Sequence, residues 1–531
     1  MNQNNQFLHR SARLLRGHAR EFLHHERNKG LFTLYKVARK LVAVCVLPPL
    51  YSAALLLQIP WPAAYFWRVQ TLIDKLSQLI ESENYNLGSA DKLRVRAGWY
   101  LEHLERTGHR SPRVMEFRSS ISFLSGNTNE FIEAQLAIFD FQETLAQSHQ
   151  SKAPNLRVLE PHFHILVGIG STVHLDAYVK AGILNLRPPT RAVILHEPWL
   201  RKYAVNPCLL SYWKQYIEIV EDQEQLELLR PFRRDLAFNV CGPMRCGYQI
   251  IPWAHSAVAY VQQIWDSQQR APLLQLTDDH RARGTSLLKS VGLASDEWFV
   301  TMHVREGKFG DHRFKELFRD SEPITYIPAI EAVTDRGGWV IRIGDPSTTP
   351  LPKLPRVIDY AHSSFKSDWM DVFLLGNARF MIGTSSGPAT VSWAFGVPIA
   401  MTNYLQASTL YFGQHVIFLP RLMKHLANGE LLSFEQQMSL PYSAGFSDGM
   451  FRNIQQVEVI PNTPDEIREL IEEMLDRFNG TLMYSLHDSE LQNRFKHITA
   501  KRETLIGLRD TALQCRIGRH FLRRHQALFN K

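Results

Sequence analysis

The stretch RFMIGTSSGPATVSWAFGVPIAMTN, Arg379 to Asn403, reads as a buried strand, a turn of small residues and a helix opening near Pro388. A strand handed to a helix through a tight turn is the building step of an α/β fold with a parallel sheet. The first N–H groups of a helix have no acceptor within it, so such a turn presents donors to an anion. Gly383, Thr384, Ser385, Ser386 and Gly387 leave room for close approach, and their three hydroxyls add donors. A diphosphate is the guest this suits, although the same residues also make an ordinary capped turn.

Upstream lies a second charged element. In WFVTMHVREGKFGDHRFKE the apolar strand Trp298 to Val304 delivers Arg305 into a loop with Glu306, Lys308 and Asp311. A planar guanidinium can hold two phosphate oxygens, whereas Lys308 acts as a more mobile point charge. His303, at the strand end, is either a crevice contact or a structural imidazole bonded to backbone. Glu306 and Asp311 are candidates for a sugar hydroxyl, for orienting Arg305 or for accepting a proton; the alternative is a solvated loop carboxylate. Farther on, Gly344 and Asp345 follow the WVIRIG strand, and Ser367 and Asp368 precede a helix. These positions suit contact with a base or ribose, and Ser367 also suits a helix cap. The order strand, helix, strand, strand, helix, strand places both polar loops after strands, where they can converge on one crevice.

A first α/β unit precedes this one. LRVLE, FHILVGIG, RAVILHE and YIEIVED read as strands separated by helical segments. The GIGS turn lacks a dinucleotide fingerprint. His174 and Asp176 lie just inside the following helix, as acceptor-side or base candidates, or as solvent-facing helix residues.

The 531 residues exceed one ordinary domain, and 45% apolar with 21% charged is a folded composition. Five cysteines, an odd number, form no disulfide framework and point to a reducing compartment; the Cys241/Cys246 pair has no second pair to complete a zinc site. The net charge of +8 gathers conspicuously at the ends. Leu8, Ala12, Leu15, Ala19 and Leu23 share one helical face broadly opposite Arg10, Arg13, Arg16, Arg20 and Arg27, a plausible interfacial helix. Leu41 to Ile59 carries no charge but is broken by Pro48 and Pro49, which favours lying on a membrane over spanning it, with a buried Pro-kinked helix pair as the alternative. Basic and apolar residues alternate again from Arg516 to Phe529, as a second contact with an anionic surface or as the last helix of the body. The basic residues form no aromatic-interleaved track, which disfavours nucleic acid. The organisation expected is a membrane-associating segment at 1–63, a helical accessory region at 64–150, Rossmann-like domains at 151–284 and 285–490, and a basic helical end at 491–531.

HVREGKFGDHRF, YIPAIEAVTDRGGWVIRIGDP and the stretch from Val357 to Asn403 together resemble a bacterial glycosyltransferase family with two facing Rossmann-like domains of GT-B type. His303-Val304-Arg305 is similar to the arginine-bearing strand end of protein O-fucosyltransferases and α1,6-fucosyltransferases, which implies that Arg305 grips a nucleotide-sugar diphosphate. Ser385, Ser386, Gly387 and Pro388, followed by Gly396 and Pro398, are similar to the donor turn of lipopolysaccharide heptosyltransferases, with Thr384 where an aspartate commonly stands. The resemblance implies metal-independent, inverting transfer from a nucleoside-diphosphate sugar, with no cofactor; the basic ends and the Leu41 to Ile59 stretch would place the protein at the cytoplasmic face of the inner membrane, beside a glycan, glycolipid or protein acceptor. A nucleotide-sugar epimerase and a non-catalytic glycan-binding scaffold are the alternatives. Oligomeric state is left open.

Overall fold

The computed structural model describes residues 62–108, 111–125, 127–159, 169–201, 206–307, 317–405, 413–439, 441–444, 447–503 and 514–530. The basic opening segment, the apolar run 41–59, Lys308 and Asp311 lie outside the described residues. No helix among those described is long and apolar enough to cross a membrane.

Four helices come first: α1 (Pro62–Glu81), α2 (Leu87–Arg106), α3 (Pro112–Leu124) and α4 (Thr128–Ser148). Asn86, Ser111 and Asn127 start the last three, each side chain accepting a backbone N–H in the first turn. Val69, Leu76 and Ile80 of α1 pack on Leu101, Leu104 and Phe117, and Met450 from much later in the chain completes this cluster. Asn453 Nδ2 donates to the Ile80 carbonyl at 2.7 Å, and the Gly449 N–H donates to Glu81 at 3.1 Å. At the other end Glu143 of α4 pairs with Arg157 at 2.9 Å, and His149 meets Asp235 at 3.1 Å. The helical region is therefore a brace that touches both α/β units.

The first unit holds a parallel sheet of β1 (Leu156–Leu159), β2 (Arg191–Leu195), β3 (Glu218–Val220) and β4 (Ala237–Phe238), in the order β3-β2-β1-β4. It is followed by a small hairpin, β5 (Met244–Cys246) and β6 (Gln249–Ile251). Helices α5 (Thr172–Ile183) and α6 (Ala254–Ser267) cover the sheet side that meets the second unit. A third helix, α7 (Asp278–Ser290), leads into that unit.

The second unit is a seven-stranded parallel sheet. Its strands are β7 (Phe299–His303), β8 (Trp339–Arg342), β9 (Val357–Asp359), β10 (Met381–Gly383), β11 (Ile399–Tyr404), β12 (Val416–Pro420) and an edge strand, Arg516–Ile517. Every residue of β10, β11 and β12 is buried, as expected for strands covered on both faces by helices. Those helices include α8 (Ile327–Thr334), α9 (Asp368–Asn377), α10 (Gly387–Ala394) and α11 (Pro464–Phe478). One apolar cluster runs from Leu159, Val173 and Val258 through Ile382 and Phe418 to Phe521, so the two units share a packed joint.

The basic C-terminal residues belong to this body. Arg523 pairs with Asp488 at 2.6 Å, Arg524 with Glu469 at 2.8 Å and His525 with Glu466 at 2.7 Å, while Phe521 and Leu522 are buried. Of the two readings of that segment, the closing helix is the one the packing supports.

Candidate active site

In the large sheet the chain steps from β7 through β8 to β9 on one side, then returns to place β10, β11 and β12 on the other. The loops leaving β7 and β10 lie at this switch point, the place at the strands' carboxyl ends where open α/β sheets bind ligands. Backbone bonds tie the two loops together. The Thr384 N–H donates to the His303 carbonyl, and the Arg305 N–H donates to Thr384 Oγ1, both at 3.2 Å. Thr384 is fully buried, so its expected ligand contact is replaced by this pin between loops.

Arg305 forms an ion pair with Asp320, whose carboxyl is pushed up by burial against the pull of Arg305. Arg319 donates from Nη2 to the Ser385 carbonyl at 2.7 Å, which lays a second guanidinium against the small-residue turn. Ser386 starts α10 without making a side-chain cap bond, and its Oγ is buried with no hydrogen-bond partner.

Glu306 points elsewhere than a base would. It bonds Arg342 Nη2 at 3.0 Å, the Thr349 N–H at 3.0 Å and the Thr349 hydroxyl at 2.6 Å. Arg342 is fully buried and also holds Asp359 at 3.0 Å. Charges so buried must stay paired, so Glu306 and Arg342 fasten the loops after β7, β8 and β9. His303 beside them is held neutral, its pKa pushed down to about 4 by burial and then by Arg342 and Arg305.

Gly344 and Asp345 follow β8, next to β7 in the sheet. Asp345 accepts the Ser347 N–H at 2.9 Å, which shapes the turn, and the Ser347 hydroxyl and then this N–H hold its carboxylate below the usual range. Ser367 begins α9 without a side-chain cap bond, and the Asp368 carbonyl accepts Asn206 Nδ2 of the first unit at 3.0 Å.

The small sheet has a switch point of its own. Its chain steps from β1 to β2 to β3, then places β4 on the far side of β1. After β4 the Cys241 N–H donates to Asn239 Oδ1 at 2.9 Å, a turn that brings Cys241 Sγ within 3.4 Å of His174 Nδ1. The His174 ring meets that of His255 edge-on at 4.9 Å. Burial pushes the Cys241 thiol up to about 12, so it is protonated at neutral pH. His255 is pushed down to about 4, by burial first and then by Arg319 of the opposite unit.

Neither His174 nor Asp176 faces solvent, as one reading of the sequence had it. Asp176 is wholly inaccessible and sits 2.6 Å from Lys180 Nζ, which also donates to Gln262 at 2.9 Å. Lys180 stands over Trp265 of α6 at 5.2 Å and Trp393 of α10 at 4.6 Å. Asp176 thus anchors the joint, and of the two acceptor-side candidates His174 alone belongs to the histidine cluster.

The two switch points face one another. A Cβ at Gly387 would meet Ile169 Cγ1 at 2.7 Å and the Gly170 backbone nitrogen at 3.1 Å. Thr390 Oγ1 lies 3.2 Å from the Ile169 carbonyl. The starts of α5 and α10 therefore abut, and their positive ends add at one place. Three members of the site escaped the sequence reading: Arg319, His255 and Cys241. Their only sequence signal is position, each near the start or end of an element bordering a switch point. Among the described residues no group of His, Cys, Asp and Glu is arranged to hold a metal ion.

No family model and no curated protein matches this chain. Among solved structures it is similar to a glycosyl transferase family 9 protein from Veillonella parvula, at 13% identity over 50% of this chain and 85% of that one, with a TM-score of 0.33. It is also similar to ADP-heptose lps heptosyltransferase II from E. coli, at 13% identity over 61% of this chain and 99% of that one, with a TM-score of 0.34. Likenesses this distant give no residue here its role.

Proposed function

We propose that the protein is a glycosyltransferase that moves a sugar from a nucleoside-diphosphate donor to a hydroxyl acceptor. The observation that supports it best is the convergence of two switch points, with two helix starts and the guanidinium groups of Arg305 and Arg319 around one crevice. In this reading the diphosphate sits against Ser385, Ser386 and Gly387, held mainly by backbone N–H groups at the start of α10. Arg319 lies over the turn, and Asp320 aims Arg305 at the same oxygens. His303, Gly344, Asp345, Ser367 and Asp368 are the donor-side residues in this reading, and Lys308 and Asp311 remain donor-side candidates from the sequence alone.

The acceptor oxygen attacks the anomeric carbon from the face opposite the diphosphate. The bond from that carbon to the phosphate oxygen breaks, and the diphosphate leaves with the electron pair. Fixed cations and N–H dipoles stabilise this charge more as it develops than before. The acceptor proton passes to the His174 and His255 pair, because Glu306 and Asp176 are both held in buried ion pairs. Attack from the opposite face inverts the anomeric centre, and no metal is required when arginines neutralise the leaving group. The acceptor class is a glycan, glycolipid or protein at the cytoplasmic face of the inner membrane, reached through the basic N-terminal segment.

Calorimetric titration with ADP, GDP and UDP tests the clamp. At least one should bind saturably, and Arg305→Ala and Arg319→Ala should each weaken it about 10-fold or more, the loss of a charge-assisted contact. If none binds the folded protein, the reading fails.

A further inference from the structure

Away from the crevice, a cavity of about 330 Å³ opens where the helical brace meets both α/β units. Leu76 and Ile80 of α1, Ala90 of α2 and Phe123 of α3 form one wall, with Trp253 of the first unit and Met450 of the second opposite. The volume is that of a small-molecule site, and an apolar wall of this kind gains by taking up hydrocarbon rather than water. The wall also carries unmet polar capacity. Ser122 Oγ, Trp253 Nε1, Ser443 Oγ and Gln455 Oε1 all belong to lining residues and are buried without a hydrogen-bond partner. Orphaned groups of this sort cost stability, which an occupant with a polar end would help recover as side chains adjust.

The mouth indicates where the occupant comes from. Leu87 lines the cavity yet is 60% exposed, and Val95 and Trp99 continue its row along α2 at 71% and 58%. Asp91 interrupts the row and is ion-paired with Arg94, itself a lining residue. Lys92 and Arg96 are exposed beside it. Apolar side chains exposed in a row and flanked by basic ones fit the surface of an anionic membrane.

We propose that this cavity binds the hydrocarbon chain of an anionic membrane amphiphile, which enters past Leu87 and leaves its head group at Arg94. The site is independent of the glycosyltransferase reading and stands or falls separately from it. The test uses full-length protein and dodecyl phosphate brominated at the chain end, since bromine quenches tryptophan fluorescence on contact. Quenching should saturate, should lose its saturable part in Trp253→Phe, and should need about 10-fold more probe in Ala90→Phe, where the ring occupies the cavity. Ser122→Phe provides a second filled cavity should Ala90→Phe fail to fold. Arg94→Gln should weaken the phosphate about threefold and leave the matching brominated dodecanol unchanged. Phosphatidylglycerol vesicles with brominated chains should quench the same tryptophan. Absent or unsaturable quenching overturns the proposal, as does saturable quenching that survives both filled variants. Quenching by the soluble probe but not by the vesicles overturns the membrane as its source.

Discussion

The turn before α5 and the turn before α10 are both made of small residues, and they touch through Gly170 and Gly387. What stands behind them differs. Behind the first are Ser171, His174, Cys241 and His255, with the thiol and His255 held neutral. Behind the second are Arg305, Arg319 and Asp320, with the buried Arg342 and Glu306 pair beneath. A crevice with one charged and one neutral wall suits a reaction that builds negative charge on one side and removes a proton on the other. The contrast also teaches that a small-residue turn supplies only space and N–H groups; the chemistry comes from what neighbouring strands bring beside it.

The sharpest way to break the contrast is to discharge the charged wall. Arg305→Ala and Arg319→Ala should each lower kcat/KM for transfer by about 100-fold or more, since each removes a donor aimed at the leaving group. An Arg336→Ala control, whose partner Asp476 lies elsewhere, should leave kcat/KM unchanged in the same assay.

Next comes the neutral wall. His255→Gln or His174→Gln should lower kcat by about 100-fold while the donor KM stays within about twofold, the signature of a lost proton acceptor rather than a lost binding contact. A proportionate rise in KM would move that histidine to the donor side.

Bringing the walls apart should have a smaller effect, read as stability. Gly387→Val must displace Ile169 or the Gly170 backbone, and overpacking of this kind costs about 1–3 kcal/mol, measurable as a lower Tm. Acid probes the same joint. His255 and His303 both have folded pKa values near 4, below the ordinary 6.5, so the unfolded chain takes up more protons between those values. Stability from these two groups is complete above about pH 6.5 and is lost as the pH falls towards 4. Thermal melts across that window should show a shallower slope for His303→Gln. The smallest change belongs to Ser385→Ala, expected to alter donor binding by less than about threefold, because its carbonyl already takes Arg319 and the N–H groups carry recognition.

Much of this architecture is legible in the sequence. Strand and helix order in the second unit follows from apolar runs broken by turns, and the loop that carries Arg305 adjoins the small-residue turn through Thr384. Which side of β7 each later strand joins is a non-local choice, so the switch points emerge only in the folded sheet. The same limit explains the individual residues. Glu306 and Arg319 look alike as charged loop residues, yet Glu306 is claimed by Arg342 from β8 while Arg319 lies on the turn. Asp176 looks like a helix-surface carboxylate until Lys180, Gln262 and Trp393 close over it. The turn before α5 looks weak alone because its partner, Gly387, comes from the other unit.

The central claim is sugar transfer, and the most direct measurement is mass spectrometry of full-length protein incubated with a panel of isotopically labelled nucleoside-diphosphate sugars and a membrane extract. The account predicts that one donor yields a labelled sugar covalently joined to an acceptor, with stoichiometric release of the nucleoside diphosphate, and that Arg319→Ala slows both about 100-fold or more. Labelled sugar that remains on the nucleotide as an isomer, or no transfer from any donor by folded protein, would contradict it.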